Sequence, residues 1–199
     1  MPAALSPSAE RICQAAILHF SEHHYDGASL NEIAAAAGIR KASLYAHFKS
    51  KDELYLAAFN RALAVELEHV QHCFSHSDTA PLGMQYCQSL QERYIKAPTL
   101  RFMLLAAYLQ PASLKAALDE GYEDYLQLLN DRFRETLLAA HPALATHTRA
   151  ITQFSSAYLG IVDSLHVKLV YTNGQEFQGR LSALEMLLTT SLQHTLHTL

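Results

Sequence analysis

The chain is predicted to be all-α, and three observations carry that prediction. Glycine and proline are sparse, seven and six among 199 residues, while Ala, Leu, Gln and Glu dominate and β-branched clusters are rare. Apolar residues recur at steps of three and four, the period of a helix with one buried face. Prolines, glycines and capping residues fall between those periodic stretches. Half of the composition is apolar, enough for a hydrophobic core, and no segment reads as a strand or a low-complexity linker. About nine helices are expected, in two domains covering residues 1–50 and 51–199.

Ser6 and Pro7 form a cap and first-turn pair, so the first helix is expected from there to about His23, burying Ile12, Ala15, Ala16 and Phe20. From Ser29 to Leu54 the chain holds two short helical patterns and the start of a longer one. Leu30, Ile33, Ala34 and Ala37 give the first pattern one apolar face. Ser29 with Glu32 has the spacing of a capping box: the serine oxygen accepts an amide three residues on, and the carboxylate reaches back to the cap's own N–H. Gly38 supplies the left-handed backbone that ends this helix. The second runs from about Lys41 to Phe48 and buries Leu44 and Phe48. Ser50 with Glu53 repeats the capping box and starts a helix through Leu54, Ala58, Ala62 and Val65 to about His72. Helix, tight glycine turn and helix make a helix-turn-helix pattern.

Charge indicates what that pattern meets. Arg40, Lys41, Lys49 and Lys51 fall in a stretch without an acid, although the chain as a whole has 15 basic and 19 acidic residues. Residues 1–51 carry five cations and four acids, and the remainder ten and fifteen. The acidic body repels nucleic acid, which leaves the basic cluster as the approach. Arg40 and Lys41 open a helix, where cations oppose the macrodipole by a few tenths of a kcal/mol; a phosphate partner reverses that preference.

Ser29-Leu30, Ile33-Ala34, Ala37-Gly38-Ile39, Ser43-Leu44-Tyr45, His47-Phe48, Ser50-Lys51 and Leu54 occur in the order of the DNA-binding domain of the tetracycline-repressor (TetR) family. The chain resembles that family from about Arg11 to Leu63, and nothing after that segment matches by motif. The resemblance implies a dimeric, ligand-responsive transcriptional regulator, most simply a repressor, acting on double-stranded operator DNA. Arg40, Lys41 and Ser43, at the start of the recognition helix, are the expected base-edge contacts. Tyr45, His47 and Lys51 are expected at phosphates, with Ser29 at the N-terminus of the preceding helix. The sequence departs from the family pattern at Arg40, where a small hydroxyl residue is usual, at Ala42, and at His24, where glycine is common. The first turn is therefore expected at Asp26-Gly27.

Pro81, Pro98, Pro111, Pro142 and Asn173-Gly174 divide the remainder into helices over 82–96, 99–110, 112–140, 143–171 and 176–198, with Gly121 expected to kink or split the third. The last helix has Phe177, Leu181, Leu184, Leu188, Leu192 and Leu196 in one stripe, widened by Leu187. The preceding helix offers Phe154, Tyr158, Ile161, Leu165 and Leu169. Such stripes face either the subunit's own core or a partner. The resemblance favours a four-helix dimer seam, containing Ile161, Leu165, Leu181, Leu184, Leu188 and Leu192. Six of the ten tyrosines lie in the middle helices. They give a candidate effector pocket of Tyr86, Leu90, Tyr94, Met103, Ala107, Tyr108, Tyr122, Tyr125, Phe154 and Tyr158, suited to a small, largely apolar ligand; the alternative is plain core.

Other classes have little support. No Gly-rich phosphate loop, HExxH or G-x-S-x-G occurs, and the adjacent Glu123 and Asp124 point to different helix faces. His23 and His24 near Glu22 read as a surface cluster. His69 with Cys73, and His72 with His76, have chelating i, i+4 spacing, but no fixed motif continues it; a solvated histidine-rich helix end is the favoured reading, and no metal or cofactor is expected. Cys13, Cys73 and Cys87 form no CxxC pair. With no signal peptide or membrane span, a cytoplasmic protein is expected. A DNA-binding regulator without an effector and a small helical enzyme are the alternatives.

Overall fold

A computed structural model describes residues 6–75, 82–172 and 174–198. His76, Pro81 and Asn173, invoked above, lie outside the described residues. The described chain is helical throughout: α1 Pro7–Gly27, α2 Leu30–Ala36, α3 Lys41–His47, α4 Lys51–Ser75, α5 Met84–Lys96, α6 Pro98–Tyr108, α7 Lys115–Ala140, α8 Thr148–Thr172 and α9 Phe177–Thr198. Short 3-10 turns at Ala112–Leu114 and Pro142–Thr146 lead into α7 and α8, so those helices begin a turn later than the sequence pattern suggests. No described helix is long and apolar enough to cross a membrane.

Local chemistry explains most of the helix ends. Ser6 caps α1 through its hydroxyl, which accepts the Ala9 amide at 3.3 Å, and Pro7 opens the first turn. Near the other end of α1 the expected turn at Asp26-Gly27 is replaced by His24, whose backbone sits at φ 57° and ψ −175°. The conformation that glycine would adopt freely is thus held by a histidine. Gly121 does not break α7. A Cβ there would lie 2.7 Å from Phe59 Cε1 and 3.1 Å from Leu63 Cδ2, so the glycine marks a close approach of α7 to α4.

The chain forms two compact units, one containing residues up to Glu66 with Ala97–Tyr122, the other Leu67–Lys96 with Glu123 onwards. The division falls inside α4 and α7. Distant side chains explain why α6 joins the helix-turn-helix. Phe20 of α1, Tyr55 of α4 and Phe102 of α6 pack their rings 4.7, 5.0 and 5.7 Å apart. Arg101 donates to Ser21 Oγ at 3.3 Å, and Thr99 donates to the buried Glu66 carboxylate at 2.6 Å. In the second unit α5, α8 and α9 enclose a core that includes Leu90, Phe133, Leu137, Tyr158, Val162, Leu165 and Leu169.

Candidate nucleic-acid interface

Two backbone bonds set the angle between α2 and α3. The Ile39 amide donates to Ala34 O and the Gly38 amide to Ala35 O, each at 3.0 Å, with Gly38 at φ 72°. This 6→1 and 5→2 pair closes α2 as the sequence predicts. Leu44 and Phe48 bury one side of α3, as expected, and Ile33 and Ala34 do the same for α2. Leu44 and Phe48 thereby fix which residues face outward: Lys41, Ser43, Tyr45 and His47 on α3, with Arg40 before it and Lys49 after it, are exposed. Lys41 Nζ lies 5.9 Å from the Tyr45 ring centroid. The acid-free cationic surface read from the sequence is therefore presented as one exposed surface by a short helix.

Three expected contacts take a different form. Ser29 is the N-cap of α2, but its hydroxyl makes no cap bond, and its amide donates to His19 Nε2 at 3.1 Å. Glu32 lies 3.6 Å from that same nitrogen instead of holding the Ser29 amide, so the first capping box is replaced by an imidazole. The second one forms in modified register: Ser50 Oγ accepts the Glu53 amide at 3.1 Å, while Glu53 accepts the Lys49 amide at 2.6 Å. Lys51, expected at a phosphate, donates to the Ala28 carbonyl at 2.9 Å and lies 4.6 Å from the centroid of the Tyr25 ring. Tyr25 in turn donates its hydroxyl to Asp52. Lys51 ties the α1–α2 connection to the start of α4, a role that sequence spacing does not reveal because its acceptor is a backbone carbonyl.

The second unit holds a cavity of about 470 Å³. Leu82, Met84, Phe133, Ala139, Ala140, Phe154, Leu188, Leu192 and Leu196 give it apolar walls, and Thr136, His141, Thr189 and Gln193 supply polar groups. Of the ten pocket residues expected from the sequence, Phe154 lines this cavity; Tyr86, Leu90, Tyr94, Met103, Ala107, Tyr108, Tyr122, Tyr125 and Tyr158 do not. Leu90, Tyr94 and Met103 are core residues, and Ala107 is half-buried in α6. Tyr86 and Tyr125 share a hydroxyl hydrogen bond, Tyr86 also bonds His166 Nε2 at 3.1 Å, and Tyr158 donates to Gly83 O at 3.0 Å. In the first unit Tyr108 and Tyr122 join hydroxyls at 3.1 Å. Burial pushes the Tyr86 and Tyr158 hydroxyls well above the ordinary tyrosine pKa and His166 down to about 3. Tyr125, Tyr86 and His166 thus form a buried chain of polar groups, with Tyr158 bonded separately to Gly83.

Ile161, Leu165, Leu181, Leu188 and Leu192 are buried within their own unit, and Leu184 is half-buried. The exposed apolar residues of these helices are Val167, Tyr171, Met186 and Leu187. Ala157 and Gly160 of α8 and Gly179, Ala183 and Ser191 of α9 are exposed as well. Ile161, Ala157, Leu184 and Leu187 line an open groove of about 450 Å³ between the two helices. His69 Nε2 lies 3.3 Å from Cys73 Sγ and 3.0 Å from Ser89 Oγ, and burial lowers the histidine pKa to about 4.

Residues 12–58 match the family described as bacterial regulatory proteins, tetR family. The biofilm operon icaADBC HTH-type negative transcriptional regulator IcaR of Staphylococcus epidermidis is 29% identical over 133 residues, 65% of this chain and 66% of that protein, just short of two thirds of its length. The fold resembles the fatty acid degradation regulator FadR from Bacillus halodurans, with a TM-score of 0.67 and 17% identity over 94% of this chain and 96% of that one. It also resembles the transcriptional regulator FadR from Bacillus subtilis in complex with stearoyl-CoA, with a TM-score of 0.62 and 17% identity over 90% and 96% of the two chains. Fold and site together define a helical protein with a helix-turn-helix in its first unit and a helical second unit. The tetR-family match is confined to residues 12–58, the segment that holds α2 and α3.

Proposed function

We propose that the chain acts in the cytoplasm as a homodimeric repressor that holds double-stranded operator DNA through α2 and α3 and releases it when a small, largely apolar effector binds the second unit. The single observation that carries the DNA-binding part is the outward presentation of Arg40, Lys41, Ser43, Tyr45, His47 and Lys49 by a helix whose opposite side, Leu44, is fully buried. Arginine and lysine at the start of such a helix suit guanine edges, and the hydroxyls and later cations suit phosphates. The amide end of α2 at Ser29 remains a phosphate position, and Lys51 supports the arrangement from behind. The DNA-binding domain in the functional sense is residues 1–50, held by the rest of the first unit.

Effector binding is supported by the 470 Å³ cavity, with no lysine, arginine, aspartate or glutamate in its lining among the described residues. An uncharged ligand loses little on entering it, and Thr136, His141 and Gln193 orient one or two polar groups. The structure of the Bacillus subtilis FadR with stearoyl-CoA makes an acyl chain a reasonable first class to test. Dimerisation is supported by the exposed strip of small and apolar residues on α8 and α9, which a second copy would cover with the same strip about a twofold axis.

The test is a reciprocal titration. DNA flanking the protein's own gene is footprinted, then bound with and without candidate apolar compounds. Linkage requires that operator weaken effector binding by the same factor by which effector weakens operator binding. A compound whose affinity is unaffected by saturating operator is not the inducer, and protein that footprints nowhere overturns the DNA reading.

A further inference from the structure

His19, His23 and Glu32 bring three metal-ligating atoms within 4.8 Å of one another in the first unit. The two histidines stand one turn apart on α1 with ring centroids at 4.4 Å, and Glu32 comes from the first turn of α2. Its Oε2 is 3.6 Å from His19 Nε2. Two imidazoles and a carboxylate, with a position left for water, are a donor set that zinc and neighbouring transition metals accept. His23 and Glu32 are exposed, which gives an ion an entry path, whereas the His19 side chain is only 11% exposed and so is held in place.

We propose that His19, His23 and Glu32 bind one divalent transition-metal ion of the zinc class, linking α1 to α2 inside the helix-turn-helix unit. A simple ion pair explains the cluster less well. His19 Nε2 accepts a backbone N–H, so that nitrogen carries a lone pair instead of a proton. That lone pair now accepts the Ser29 amide. An ion at Nε2 competes with the amide for it, so occupancy of the site is reported at the first residue of the helix-turn-helix.

The experiment uses untagged, chelator-treated protein. Zn²⁺ is titrated by calorimetry, Co²⁺ by its visible absorption, and the Ser29 amide is followed by ¹⁵N NMR. The wild-type chain is expected to bind Zn²⁺ stoichiometrically, to melt higher with it, and to shift the Ser29 amide resonance. His23→Ala and Glu32→Gln, both exposed positions, are expected to melt as wild type without metal and to lose all three responses. The proposal is overturned if the wild type binds no stoichiometric Zn²⁺, if both variants bind as it does, or if binding is lost in Cys73→Ser instead.

Discussion

Ser29 gives its backbone amide to Nε2 of His19 at 3.1 Å, so the helix-turn-helix begins on an imidazole of α1. Only a neutral ring can accept that bond. Burial also lowers His69 to about 4 and His166 to about 3.

These three groups bind protons more readily unfolded, at an ordinary value of 6.5, than folded. Their stabilising effect is complete above that value and is lost as pH falls towards the folded values. Denaturant unfolding at neutral pH and at about pH 5 should show lower stability in acid, with His166 contributing a slope of about 1.4 kcal/mol per pH unit. His166→Gln should remove that share of the slope while lowering stability at neutral pH.

Lys41→Ala and Lys49→Ala should leave the melting temperature unchanged, since both side chains are exposed. Lys41→Ala should relax discrimination between DNA sites, and Lys49→Ala should weaken all sites alike and reduce the salt slope by about one. Lys51→Ala should instead destabilise the chain by about 1 kcal/mol through loss of its bonds to Ala28 and Tyr25. A Lys51→Ala protein that melts as wild type but binds DNA poorly would return Lys51 to the phosphate contacts.

Adjacent leucines separate assembly from folding. Leu187 is 58% exposed and Leu188 8%. Light scattering should find Leu187→Asp folded and monomeric, whereas Leu188→Asp should lose several kcal/mol of stability from a carboxylate in the core. A dimeric Leu187→Asp would place the seam on another surface.

His24→Gly should raise stability by about 1 kcal/mol, because glycine adopts φ 57° and ψ −175° without the strain that histidine bears there. Gly121→Ala should do the reverse, by about 1–3 kcal/mol, since its Cβ would meet the Phe59 ring at 2.7 Å. Thermal melts of the two variants are sufficient to check both.

Features fixed by neighbouring residues were legible in the sequence. The Gly38 turn, the burial of Leu44 and Phe48 and the outward cations all follow from helical period and local charge, and the structure has them as expected. Features that depend on distant partners were not. Lys51 meets a carbonyl 23 residues away and Phe20 packs on Phe102, so neither the role of Lys51 nor the membership of α6 has a local signal. Tyr86 and Tyr125 illustrate a different limit: burial at helical spacing is the same pattern whether a hydroxyl faces a ligand or another hydroxyl. Likewise α9 is apolar on more than one side, so period alone does not separate Leu187 from Leu188.

The chain of hydroxyls and imidazole through Tyr125, Tyr86 and His166 carries an evolutionary consequence. Replacing one member takes a hydrogen-bond partner from its neighbour inside a buried core, whereas replacing all three with apolar residues of similar shape removes the donors and acceptors of the trio together. Single-step exchange at these positions is therefore a fitness valley. Descendants and cousins of this protein should keep the trio whole or lose it together, and a triple mutant should be more stable than the product of its separate lesions predicts.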